Sequence, residues 1–258
     1  MKNILTILFI ICIQQVYACV CRTVPLIDRI ESSDFIAKAK ILKVTADDEN
    51  NSFHNIEIEI IDIFKGENLS KLKIYSALNS SCGFFTPENT TWLIFAKKDE
   101  NGILSFGYCS GAKQIDRKFN SDRYPNAQKG YSRSIEQKIE LLEFIKQKNI
   151  DPKNEFKLQI TATNGCLKEF RGIEVKNEPF ALYELTINND LSIKNIKPLK
   201  EFDNSKLKSD LLKCISKSIK VHRKNKQIEI ERQTKIIFAL YYYPSGEDYE
   251  SFIGKFNL

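Results

Sequence analysis

Histidine is almost missing from this chain: His54 and His222 are the only two in 258 residues. Neither stands at a spacing from cysteine or carboxylate that would build a metal site, so each reads as a surface residue and no resident metal is expected. The ten glycines are scattered, which speaks against a glycine-rich phosphate loop. There is no internal repeat and no low-complexity tract. One long apolar run exists, from Ile4 to Ile13, and it is too short to span a bilayer. No nucleophile–base pair stands out. Glu57 and Glu59 could pass for paired carboxylates, but they fall on the side of a strand opposite the isoleucines, a solvated face. The chain is therefore read as non-enzymatic and without a cofactor. An excess of one charge is missing too, since the 39 basic residues nearly balance the 33 acidic ones. That balance argues neither for nor against nucleic acid, and no nucleic-acid partner is expected.

What the chain does have is cysteine near its start. Lys2, the apolar run and then Val16-Tyr17-Ala18 give residues 1–18 the form of a secretory signal peptide, with cleavage before Cys19. Cleavage there leaves 240 residues beginning Cys19-Val20-Cys21, with no transmembrane segment after processing. Six of the seven cysteines remain: Cys19, Cys21, Cys82, Cys109, Cys166 and Cys214. An even number in an exported chain suggests three disulfides, and six cysteines allow fifteen pairings. The expected location is secreted or periplasmic. A second reading takes residues 16–19 as a lipoprotein processing site. A diacylated Cys19 would anchor the protein and form no disulfide, although Tyr17 is a poor residue inside such a site.

Residues 25–32 read as a short helix with Leu26, Ile27 and Ile30 on one face. Phe35, Ala37, Ala39 and Ile41 alternate with lysines, which predicts a half-buried strand. Ile56, Ile58 and Ile60 give a second strand, whose phase then slips so that Ile61 and Ile63 become apolar, the mark of a β-bulge or a strong bend. Residues 72–75, 92–96 and 103–108 supply three more strands, the last two joined by a turn at Asn101-Gly102. Five such strands fit a small closed barrel. Residues 111–131 look irregular. Ser134 with Gln137 reads as a capping box opening a helix. A boundary falls near residue 150, so residues 19–150 form one domain and 151–258 another. The second half predicts a strand at 156–163, a hairpin about Asn189-Asp190, a helix over 205–219 and a long strand over 233–243, a ββαβ α+β unit. The basic run over 217–226 reads as a solvated helix end and loop. Tyr241-Tyr242-Tyr243 reads as core on one face and interface on the other.

The first half resembles the tissue inhibitors of metalloproteinases and the related netrin-type modules. The resemblance rests on Cys19-Val20-Cys21, Phe35-Ile36-Ala37-Lys38-Ala39, Ile63-Phe64-Lys65-Gly66, Ser81-Cys82-Gly83, Thr91-Trp92-Leu93-Ile94-Phe95-Ala96 and Gly107-Tyr108-Cys109. It covers about residues 19–115. It implies an OB-type barrel and the bridges Cys19–Cys82 and Cys21–Cys109. It also implies a mechanism: the α-amine and carbonyl of Cys19 chelate a target protease's own zinc, Val20 enters the specificity pocket, and Asn79, Ser80 and Ser81 flank the same ridge. The chain departs from the animal inhibitors at Val20, where they carry Thr or Ser, and in lacking their third barrel disulfide. Netrin-type modules with the same bridges also serve as scaffolds, so an envelope or extracellular protein-binding module with no inhibitory activity is the competing reading.

The second half resembles, as a pattern, the C-terminal domain of TonB-type envelope proteins, through residues 180–187, 191–198, 207–219 and 236–243. That resemblance implies a bacterial envelope setting and a Cys166–Cys214 clip. The chain lacks the Pro-rich spacer of a true energy transducer.

Overall fold

The computed structural model describes residues 19–162, 164–177, 179–224 and 229–255. The signal peptide over 1–18 and Lys226 of the basic run lie outside them. Helix α1 is Leu26–Ser32, and strands β1 (Phe35–Ala46), β2 (Phe53–Lys65), β3 (Lys71–Tyr75), β4 (Thr91–Lys98) and β5 (Leu104–Gly107) follow. They hydrogen-bond in the order β1-β2-β3-β5-β4, and β1 also pairs with β4, so the sheet closes into a five-stranded, OB-type barrel. All pairs are antiparallel except β3 with β5.

Closure needs strongly coiled strands, and bulges supply the coil. Along β1 and β2, Lys38 faces Asp62 and Ala39 faces Ile60, which leaves Ile61 as an extra residue on β2. This is the place where the apolar phase slips in the sequence. Phe35, Ala37, Ala39 and Ile41 fill the barrel with Ile56, Ile58, Trp92, Ile94 and Phe106. The small alanines, Ala37 and Ala39, leave room in the narrow interior for the larger side chains of the other strands.

The Phe-Lys-Gly end of β2 has a physical role. The Lys65 ammonium donates to the carbonyls of Ile30 (2.9 Å) and Glu31 (3.0 Å), the unpaired acceptors at the end of α1. Gly66 follows at φ +91°, and a Cβ there would lie 2.7 Å from the Asp34 carbonyl oxygen. Only glycine fits this crossing without displacing backbone.

Strand β6 (Lys113–Gln114) joins β4, and helix α2 (Ala127–Gln147) leaves the barrel. The helix begins seven residues before Ser134, so the expected capping box does not exist. Residues 127–133 are polar and lack apolar period, yet most are tolerated in a helix interior. Gln137 is instead buried, and its side-chain amide donates to the carbonyls of Tyr242 (2.8 Å) and Pro179 (3.3 Å).

The second half holds β7 (Leu158–Ala162), α3 (Asn164–Lys168), β8 (Phe180–Ile187), β9 (Ile193–Lys200), α4 (Ser205–Ser218), β10 (Ile219–Arg223), β11 (Thr234–Tyr243) and β12 (Phe252–Gly254). A sheet in the order β12-β11-β8-β9 carries α4 on one face, where Leu207, Leu211, Cys214 and Ile215 meet Tyr183, Leu185 and Phe238. This is the expected ββαβ core with one strand added. The basic run departs from expectation: residues 219–223 form β10, paired with β7, because Ile219 and Val221 alternate with the charges and are buried.

The sheet's other face is buried as well. Phe180, Leu182, Ile237, Ala239 and Tyr241 pack with Ile36, Leu93 and Phe95 on the outside of the barrel, with Leu141, Leu142 and Ile145 of α2 between the two halves. Tyr241 therefore serves this shared core and Tyr242 the α4 core. Tyr242 thus lies in the second half's own core, and Tyr241 on the face that packs against the barrel and α2, within the chain. Among the described residues no helix is long and apolar enough to cross a membrane.

Candidate functional site

β3 and β5 run in parallel, so both end at the same side of the barrel, with Tyr75 opposite Gly107. Two loops leave from there. One carries Asn79, Ser80, Ser81 and Cys82, and the other carries Tyr108 and Cys109. The Cys19–Cys82 and Cys21–Cys109 disulfides bind the extended N-terminal segment across both loops. These are the pairings that the family resemblance implies. The third bridge, Cys166–Cys214, ties α3 to α4 away from this end.

Between the two stapled cysteines, Val20 is 84 % exposed. The loop beside it is held by its own hydrogen bonds. The Ser80 amide donates to the Ala77 carbonyl (2.9 Å), as does the Ser80 hydroxyl (2.8 Å), and the Cys82 amide donates to the Ser80 hydroxyl oxygen (3.1 Å). Asn79, Ser80 and Ser81 are all exposed. The geometry is thus a short ridge of Cys19–Cys21 and 79–82, fixed at both cysteines and bare at its crest.

Sequence reasoning missed the apolar surroundings of this ridge. Val24, Tyr75, Leu78, Phe85 and Tyr108 are exposed around it, Val24 by about a third and the others by about half. With Val20 they make six of the ten large apolar side chains that the described residues expose. Single exposed apolar residues are ordinary, but a concentration at one end marks an interaction surface. The available signal was position: each lies within four residues of a cysteine in sequence, or at the end of a strand that leads to one.

His54 is less exposed than expected. It is half-buried behind the same loop, with Nδ1 2.7 Å from the Ser76 hydroxyl and its ring edge-on to Phe85. His222 is exposed, with Nε2 2.8 Å from the Thr161 hydroxyl. Glu57 and Glu59 are exposed on β2, and Glu57 pairs loosely with Lys71. The sulfurs of Cys19, Cys21 and Cys109 lie within 4.8 Å of one another. Each is in a disulfide, so none offers the thiolate a metal would need.

Beneath the ridge, α1, β6 and α2 bring Arg29, Lys113 and Lys138 together. Burial lowers the pKa of Arg29. Lys138 is pushed down to about 7, first by desolvation and then by the Lys113 and Arg29 charges. No known family model matches this chain, and no curated protein matches it.

Proposed function

We propose that the processed N-terminus inhibits a zinc metalloprotease. The observation that carries this reading is the exposure of Val20 between two bridged cysteines. A protease zinc keeps one position open for water or substrate. An α-amine with a pKa of about 8 loses its proton at little cost and becomes a good ligand. After cleavage before Cys19, that amine and the Cys19 carbonyl oxygen form a five-membered chelate with the target's zinc and displace its water. The two disulfides hold the chelating atoms in place before binding, which lowers the ordering cost. Val20 then fills the adjacent specificity pocket, and the exposed apolar side chains around the ridge cover the pocket's rim. Three disulfides in one chain suit an oxidising, exported setting, secreted or periplasmic.

The test compares the purified exported protein with a form carrying one extra alanine before Cys19, against a panel of zinc metalloproteases. The extension blocks the amine but leaves the ridge intact. Inhibition by the native terminus and its loss on extension is the expected result. Partner binding that survives the extension identifies the scaffold reading instead, a binding module that uses the same apolar end. Mass spectrometry of the unreduced protein, run first, must find an unmodified Cys19 at the start. An acylated Cys19 or an uncut leader removes the free amine and the proposal with it.

A further inference from the structure

We propose that the cleft below the N-terminal ridge is a binding site for a tetrahedral dianion, a phosphate or sulfate group. The inference is independent of the inhibitor reading. The cleft encloses about 740 Å³, within the range of small-molecule sites. Among the described residues its lining includes five basic side chains, Arg22, Arg29, Lys113, Arg117 and Lys138, and no carboxylate. They come from the N-terminal segment, α1, β6, the segment after β6, and α2.

Arg29 is fixed in position. Its Nη1 donates to the carbonyl of Cys109 (3.2 Å) and, closer still, to that of Ser110. Gly111, at φ +86°, makes room for it, since a Cβ there would come within 2.4 Å of the guanidinium. Backbone carbonyls satisfy part of this cation but do not neutralise it. Arg117 lies over the rings of Phe119 (4.8 Å) and Tyr131 (6.0 Å), a second planar donor set on a rigid platform. The Tyr131 hydroxyl donates to the Gln114 carbonyl (2.8 Å), which fixes that platform. Asp116 is next to Arg117 in sequence, but its carboxylate accepts from the Thr91 amide (2.8 Å) and the Gln114 side-chain amide (2.9 Å).

Lys113 is exposed by surface area, yet its pKa is held below the usual lysine range, by desolvation first and then by the charges of Arg117 and Arg29. Like charges crowded into a partly dry cleft are destabilising unless an anion joins them. A carboxylate would offset one of these charges. A phosphate or sulfate offsets two and can accept from several directions at once, which matches donors arriving from separate elements.

The experiment is isothermal titration of the full exported protein with sodium phosphate and with sodium sulfate at pH 7. Sodium acetate and sodium chloride at matched ionic strength serve as controls. One site for phosphate or sulfate is expected, with acetate weaker by about tenfold. Lys113→Gln and Arg117→Gln, both at exposed positions, should each weaken phosphate by about tenfold while the variant still folds and unfolds cooperatively in chloride. Phosphate heats no different from chloride overturn the proposal, as does acetate binding as tightly as phosphate. Unchanged affinity in both variants overturns it too, because the anion then binds elsewhere. Glucose 6-phosphate distinguishes the sources under a positive result: binding assigns the site to a phosphate ester, and failure to bind assigns it to the free ion.

Discussion

β11 and the N-terminal ridge both carry bulky apolar side chains, and the fold treats them in opposite ways. Tyr241 and Tyr242 are 1 % and 6 % exposed, each covered by a different core. Val20 lies bare between two disulfides. β11 holds its place by burial, at about 25 cal/mol for each Å² of apolar surface removed from water. The ridge has no such resource, because its crest must stay accessible, and covalent bridges replace packing there. A segment with little burial unfolds locally at low cost unless it is tethered. The barrel's two staples thus serve order at the crest, whereas the second half, with one bridge between α3 and α4, orders its sheet by packing on both faces.

Removing a staple should therefore cost the ridge more than the sheet. Cys21→Ser combined with Cys109→Ser opens a bridge that spans 88 residues. A loss of about 3–5 kcal/mol in denaturant midpoint analysis is expected, together with fast hydrogen exchange over residues 19–25. The amides of β8 and β11 should keep their relative protection. Uniform loss across both regions would break the comparison.

The buried charge beneath the ridge comes next. The Lys138 pKa in the folded protein is about 7, below its unfolded value of 10.5. The charged form therefore favours the unfolded chain. The penalty is present in full below about pH 7 and fades as pH rises toward 10.5. Relative to Lys138→Met, the native protein should gain stability between pH 7 and pH 9, by at most about 1.4 kcal/mol for each pH unit. Parallel pH profiles of the two proteins would refute this. Gln137, one residue away, clamps α2 to the end of β11 through the Tyr242 carbonyl. Gln137→Ala should cost about 1–2 kcal/mol, because a buried acceptor loses a donor. Tyr241→Phe should do the reverse. Its hydroxyl is buried with no hydrogen-bond partner among the described residues, so removal should raise stability by about 1 kcal/mol in thermal unfolding.

Local periodicity made much of the fold legible. The alternation in β1, the slip that becomes the bulge at Ile61, and the 3.6-residue stripe of Leu207, Leu211, Cys214 and Ile215 each record which side of an element is buried. What could not be read depends on partners distant in sequence. The first turns of α2 have no apolar stripe because their positions are only half-buried or exposed. Gln137 carries no sign that a carbonyl 105 residues later will accept from it. In the basic run, five cations concealed the alternation of Ile219 and Val221. At the candidate site, Cys19, Val20 and Cys21 were visible as a motif. Tyr75, Leu78, Phe85 and Tyr108 were not, because only the parallel β3–β5 pair brings their loops together.

The smallest effect on stability should accompany the largest effect on binding. Val20 buries almost nothing, so Val20→Asp should leave the thermal midpoint within the range of surface substitutions, about 0.5 kcal/mol. In a complex the same side chain would enter an apolar pocket, where an unpaired carboxylate is strongly disfavoured. Inhibition of a susceptible metalloprotease should fall by about a hundredfold or more. Val20→Thr keeps the shape and replaces one methyl with a hydroxyl, so it should shift preference among proteases without abolishing inhibition. A Val20→Asp protein that folds normally and inhibits as well as the native form would mean that the crest does not enter the target. The apolar side chains around it would then be the contact, and the ridge would be a scaffold for them.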